Sequence, residues 1–128
     1  ALSIREGKGP IAPPALIISG GELTVKIVGN GRGGPNSEYM LAMAMALNGI
    51  DGIHAIACDT DGIDGTEDNA GAKISPNTLQ RAVKAGVNPQ NHLTDNDSYS
   101  FFKKLNDLII TGPTYTNVND FRAILVMS

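Results

Sequence analysis

The stretch Gly29-Asn-Gly-Arg-Gly-Gly-Pro-Asn-Ser-Glu-Tyr39 (GNGRGGPNSEY) decides how this chain is read. Ahead of it Glu22 to Val28 (ELTVKIV) alternates apolar and polar residues, and behind it Tyr39 to Leu47 (YMLAMAMAL) is almost wholly apolar. Strand, glycine-rich loop and helix in succession indicate an α/β protein. Gly34-Pro35 marks the helix start, because proline at the first turn lacks only an N–H that has no partner there, and Asn48-Gly49 marks its end. Met and Ala occupy nearly every face of the helix, which predicts that it is well buried.

Working outward, Ala15 to Ser19 (ALIIS) reads as a short strand and Gly20-Gly21 as a two-residue hairpin turn into Glu22–Val28, so the first two strands are expected to be antiparallel. Ile53 to Cys58 reads as a buried strand, and an acidic, glycine-rich loop runs from Asp59 to Gly71. Ser75-Pro76 opens a helix ending near Lys84–Gly86, Asn88-Pro89 a shorter one, and Asp97 or Ser98 caps a third through Leu105. Asp107–Thr111 and Phe121–Met127 complete the strands. The expected fold is a layered α/β domain with a mixed β-sheet, an N-terminal β-hairpin and several helices. Residues 1–14, with charges, glycines and three prolines, read as an interdomain connection or a trimmed start, and residues 15–128 as one domain.

Composition narrows the function. A net charge of -3 and a pI near 5.2 provide no basic footprint for nucleic acid. No apolar run approaches the roughly 20 residues that span a bilayer, so no membrane partner is expected. One cysteine, Cys58, cannot form an internal disulfide, which fits a cytoplasmic location; its plainer reading is a small buried apolar residue. His54 and His92 lack metal-ligand spacing, and neither G-x-S-x-G nor a P-loop is present. The Asn96 sequon matters only in a secreted protein.

Three loops carry the chemistry. Gly29, Gly31 and Gly34 match G-x-G-x-x-G, but the preceding strand belongs to the expected hairpin, so a dinucleotide site is the weaker reading. A glycine loop at the positive end of a helix, with Arg32 beside it, suits a carboxylate or phosphate; alternatively the glycines serve only a tight turn. Asp59-Thr-Asp-Gly-Ile-Asp-Gly-Thr-Glu-Asp68 puts five carboxylates into ten residues. It is not an EF-hand, since Ile63 falls where an oxygen ligand belongs. It suits either a Mg²⁺ held by one or two carboxylates together with substrate phosphates, or a solvated acidic turn. Thr111 to Asp120 (TGPTYTNVND) offers hydroxyls, amides and a carboxylate after a strand, where ligands commonly sit, or where Asn and Asp bond their own backbone.

In order, SGGE at Ser19–Glu22, GNGRGGPNSEY, DTDGIDG at Asp59–Gly65, NDSYSFF at Asn96–Phe102 and TGPTYTNVND resemble the C-terminal (MOFRL) domain of the glycerate 2-kinases, a family that also carries the name hydroxypyruvate reductase. The resemblance covers Ala15 to the end. It implies the smaller half of a two-domain enzyme that transfers phosphate from ATP to the 2-hydroxyl of D-glycerate with Mg²⁺, its site in the cleft between the halves and a catalytic lysine supplied by the half absent here.

Carried onto this sequence, the resemblance places Ser19, Gly20, Gly21, Glu22, Gly31, Gly33, Gly34, Asn36, Glu38, Thr114, Thr116, Asn117 and Asn119 at substrate or phosphate. Among the residues it brings to the cleft, Asp59, Asp61 and Asp64 are expected as metal ligands, and Asp61, Asp120 and Arg32 as catalytic. Many relatives read G-G-R-N-Q-E where this chain has Gly33-Gly34-Pro35-Asn36-Ser37-Glu38. Pro35 cannot neutralise a phosphoryl group as that arginine would; Arg32, Arg122 or the other domain is then the source of charge. The isolated chain is expected to fold without turning over. Its implied partners are the substrate, D-glycerate or hydroxypyruvate, and its own N-terminal domain, with a homo-oligomer left open. The alternatives are an NAD(P)H-dependent hydroxypyruvate reductase and a stand-alone binding domain.

Overall fold

The computed structural model describes all 128 residues, Ala1–Ser128. The elements are α1 (Leu2–Arg5), β1 (Ala15–Gly21), α2 (Pro35–Leu47), β2 (Ile53–Asp59), β3 (Gly71–Ile74), α3 (Thr78–Ala85), α4 (Pro89–Thr94), α5 (Ser98–Leu105), β4 (Leu108–Ile109) and β5 (Asp120–Val126). One five-stranded sheet has the order β1-β5-β2-β3-β4, and all four pairings are antiparallel. The layered α/β architecture is as expected, but the mixed sheet is not. The last strand of the chain fills the space between β1 and β2, so every neighbour runs opposite to it or to the next strand.

The N-terminal hairpin is also absent. β1 pairs with β5, from Ala15 opposite Val126 to Gly21 opposite Asp120. Beyond Gly21 (φ +118°) the chain leaves the sheet. The Leu23 N–H donates to the Asp120 carboxylate at 2.6 Å, and those of Val28 and Gly29 donate to Asn96 Oδ1 at 2.7 and 2.8 Å. Side-chain acceptors from distant segments thus take N–H groups that a hairpin would have used in its ladder. β3 forms at the end of the acidic loop, where no strand was expected, Asp107–Thr111 shrinks to the two residues of β4, and α1 forms where only a connection was expected.

All the helices lie on one face of the sheet. Met40, Leu41 and Ala44 of α2 pack on Ala55 and Ala57 of β2 and Ala72 and Ile74 of β3, with Ala82 of α3 and Phe101, Phe102 and Leu105 of α5 completing the main core. Alanine at 55, 57 and 72 lets α2 sit close on the sheet, and the Phe101 and Phe102 rings meet edge to face at 5.1 Å. α2 is nevertheless buried on one side only: Ala42 and Ala46 are exposed, because no second layer covers its outer face. Ile4 of α1 joins Ala15, Ile53 and Val126 in a smaller cluster at one end of the sheet, so part of the N-terminal segment belongs to the core. No helix is long and apolar enough to cross a membrane.

Candidate functional site

The polar residues collect at the opposite end of the sheet, where Gly21, Asp120 and Asp59 are register partners on β1, β5 and β2. Asp64 lies beneath the start of α2, fully buried. Its Oδ1 accepts from the Asn36 N–H at 2.9 Å and from Asn36 Nδ2 at 3.3 Å; its Oδ2 accepts from the Ser37 N–H at 2.8 Å and the Ser37 hydroxyl at 2.6 Å. A carboxylate here is favoured by the unpaired N–H groups and by the helix dipole. The anion at the head of α2 is therefore a side chain of the protein itself. Asp64 has both oxygens engaged, which removes it from the expected metal-ligand set.

The glycine loop is closed in the same way. The Asn30 and Arg32 N–H groups donate to the carboxylates of Asp95 and Asp97 at 3.0 and 2.9 Å, and the Gly31 N–H donates to the Asp95 carbonyl at 2.8 Å. The glycines make room for this contact. A Cβ on Gly31 would stand 2.3 Å from that of Asp97, and one on Gly34 would stand 2.4 Å from the Asp64 backbone. The G-x-G-x-x-G spacing thus serves packing, of Gly29 and Gly31 against the turn before α5 and of Gly34 against Asp64, and the parallel βαβ unit that a dinucleotide fingerprint requires is not formed in this antiparallel sheet.

Arg32 is tied to Glu67 at 2.6 Å and stacks over the Tyr99 ring at 4.3 Å, while the Tyr99 hydroxyl donates to Asp68 at 2.7 Å. This clasp joins the glycine loop, the acidic loop and α5. Glu38 accepts from Asn96 Nδ2 at 2.6 Å and so braces the turn that receives Val28 and Gly29.

What remains is a polar hollow of about 220 Å³ whose wall includes Glu22, Pro35, Asp59, Asp61, Asn117, Asn119 and Asp120. Six of the expected site residues meet here: Glu22, Asp59, Asp61, Asn117, Asn119 and Asp120. Ser19 and Gly20 stand beside it on β1, held by Arg122, whose Nε donates to the Ser19 hydroxyl at 3.1 Å and whose Nη2 donates to the Gly20 carbonyl at 2.5 Å. Thr114 bonds the Thr60 carbonyl and, at 3.3 Å, the Thr116 carbonyl, and so shapes the loop without lining the hollow. Gly31, Gly33, Gly34, Asn36, Glu38, Thr116 and Arg32 also lie off its wall. Leu23, Ile63 and Gly65 line it unforeseen; nothing in their residue types or spacing marks them.

Within the hollow the acids differ. Asp120 is buried, with Oδ2 accepting from Leu23 and Oδ1 from Asn36 Nδ2 at 2.8 Å. Asp59 Oδ1 accepts the Asp61 N–H at 3.1 Å and Asp61 Oδ1 the Ile63 N–H at 2.8 Å, a pair of Asx turns that leaves Oδ2 of each free of donors within the chain. Burial, and the carboxyl groups of Asp61 and Asp120 nearby, push Asp59 above the usual carboxylate range. No Lys or Arg lines the hollow. No three His, Cys, Asp or Glu side chains form a ready metal cage. Asp59 and Asp61 do suit an ion that takes one or two carboxylates and fills its remaining positions from other sources.

The sequence matches the MOFRL family over residues 15–120. The chain belongs to the MOFRL family. Among its relatives, a protein of Agrobacterium vitis named "Putative hydroxypyruvate reductase" is 55% identical over 98% of this MOFRL chain and 29% of its own length. A D-glycerate 2-kinase of Thermotoga maritima is 46% identical over 87% of this chain and 27% of its own. The crystal structure of a glycerate kinase from Thermotoga maritima superposes with a TM-score of 0.95 at 41% identity, covering 98% of this chain and 30% of that one. The MOFRL chain thus spans between 27% and 31% of the length of the first three curated relatives it matches.

Proposed function

We propose that this MOFRL domain is the smaller part of a glycerate 2-kinase, which moves the terminal phosphoryl group of ATP to the 2-hydroxyl of D-glycerate, and that the hollow is its wall of the active site. The observation that carries the reading is the charge of that wall: Glu22, Asp59, Asp61 and Asp120 line it without a Lys or Arg, and Arg122 Nη1, 3.8 Å from Asp120 Oδ2 behind it, offsets only one of the four carboxylates. Phosphoryl transfer depends on positioning and on positive charge around the moving group. An acidic wall meets that demand by attracting a divalent cation. Mg²⁺, when bound, neutralises charge on phosphoryl oxygens, and Asp59 and Asp61 are the side chains that would hold it.

The remaining roles follow from which atoms are free. Asp61 keeps Oδ2 for a ligand, whereas Asp120 has both oxygens engaged and acts as a positioning residue that fixes Leu23 and Asn36. Asn117 and Asn119 contribute amides able to hydrogen-bond the hydroxyl groups of a small polar acid. Arg32, paired with Glu67, and Arg122, bonded to Ser19 and Gly20 and 3.8 Å from Asp120, are committed elsewhere, so positive charge on the substrate side is assigned to the rest of the longer polypeptide. A reductase reading rests on the name of the Agrobacterium vitis relative.

The full-length polypeptide decides between them in two parallel assays: ADP release with D-glycerate and Mg-ATP, and NADH or NADPH oxidation with hydroxypyruvate. Glycerate-dependent ADP release is expected. Nicotinamide oxidation without ADP release would overturn the kinase reading.

A further inference from the structure

The face of the sheet away from the helices is bare. Alternation along β1, β5 and β2 turns Leu16, Ile18, Ile56, Phe121 and Leu125 toward it, in cross-strand rows set by the register Leu16–Leu125–His54 and Ile18–Ala123–Ile56–Lys73. Leu16 is 54% exposed and Ile18 61%. A hollow of about 550 Å³ on this face is lined by Leu16, His54, Ile56, Lys73, Arg81 and Leu125 among others. A contiguous apolar surface of this kind marks an interaction site rather than a solvated face.

Two further observations point to its occupant. First, this chain spans 29% of one relative and 30% of a superposed crystal structure, so more than two thirds of each lies outside the match. Second, both chain ends are at the Ile53–Val126 end of the sheet: Ala1 and Ile4 pack with Ala15, Ile53 and Val126, and the Met127 N–H bonds the Gly52 carbonyl at 2.7 Å. Whichever terminus continues, the remainder joins there, while the acidic hollow opens six residues farther along the strands, roughly 20 Å away. The helices occupy one face of the sheet. The hollow lies at the far end on the helix side, where Asn36 of α2 bonds Asp120, so the remainder spans the sheet from the junction to reach it, and the bare face is the sheet surface that no helix covers.

We infer that the remainder of the same polypeptide packs across this bare face, with an apolar surface against Leu16, Ile18, Ile56 and Leu125 and an acidic group opposite Lys73. Lys73 projects from β3 at the rim, while Arg81 there is already paired with Asp107. The inference rests on the reading of the chain as one part of a longer kinase, but its test does not use activity.

Single cysteines are introduced into the full-length protein at Ile18→Cys and Leu16→Cys on this face and at Val83→Cys on the outer side of α3, where Val83 is 78% exposed. Maleimide labelling of each site is followed by mass spectrometry, normalised to the rate in urea. Expected is labelling at 18 and 16 at least about tenfold slower than at 83, at every protein concentration, because access controls the reaction. Equal rates at the three sites would overturn the inference. Protection that vanishes on dilution through a dimer–monomer transition would also overturn it, by assigning the face to a second copy. Protection at all concentrations in a protein without kinase activity would uphold this interface while the functional reading fails.

Discussion

Asp64 caps α2 through Ser37: one carboxylate oxygen, Oδ2, accepts both the Ser37 N–H at 2.8 Å and the Ser37 hydroxyl at 2.6 Å. The bond joins the acidic loop to the helix that carries the core, across 27 residues of sequence. It also fills with an internal carboxylate the position where a loop of this composition invites a phosphate.

The first prediction concerns this cap. Asp64→Ala strands the N–H groups of Asn36 and Ser37 in a buried site and should cost about 3 kcal/mol of stability. Urea unfolding at constant slope measures it. A loss below about 0.5 kcal/mol would show that the cap is replaceable.

The glycine loop gives the second. Gly31→Ala drives a methyl group against Asp95 and Asp97, and should destabilise by roughly 1–3 kcal/mol without touching the wall of the hollow. In the full-length enzyme the Michaelis constants for ATP and glycerate are expected to stay within about twofold of the unsubstituted values, a change of at most ~0.4 kcal/mol in binding. A large rise in either constant at normal stability would return the loop to ligand binding.

A third follows from Cys58, whose thiol is pushed from 9.0 up to about 11, mainly by burial and secondarily by Asp64. The fold therefore favours the protonated form: the associated stability is complete below pH 9.0 and is lost as pH rises through about 11. In the 128-residue chain the alkylation rate of Cys58 should still be climbing at pH 10. A plateau near pH 9 would contradict the assignment.

Local signals in the sequence were read well. Asn48 and Gly86, both left-handed with φ of 49° and 72°, end α2 and α3, and Asn88 caps α4 by accepting the Asn91 N–H at 3.0 Å, whereas Asp97 stands at the start of α5 without capping it through its side chain. Pairing was not legible. Whether Gly20-Gly21 turns a hairpin depends on whether another strand claims β1 first, and β5 does so from about a hundred residues away. A separation of 27 residues hid the work of Asp64 as well: among five acids in ten residues nothing distinguishes the one that folds inward. Glu22, Asp59, Asp61 and Asp120 were expected together only through the family resemblance, and the ends of β1, β2 and β5 bring their loops to one hollow. Leu23 and Pro35 reach the same wall only through the chain's departure from the sheet.

The most direct test of the central claim is a Mg²⁺ titration of glycerate-dependent ADP release by the full-length enzyme and its Asp61→Asn variant. The variant is expected to need at least about tenfold more Mg²⁺ for half-maximal rate, which corresponds to ~1.4 kcal/mol of lost cation binding. Superimposable titration curves would contradict it and remove the acidic hollow from phosphoryl transfer.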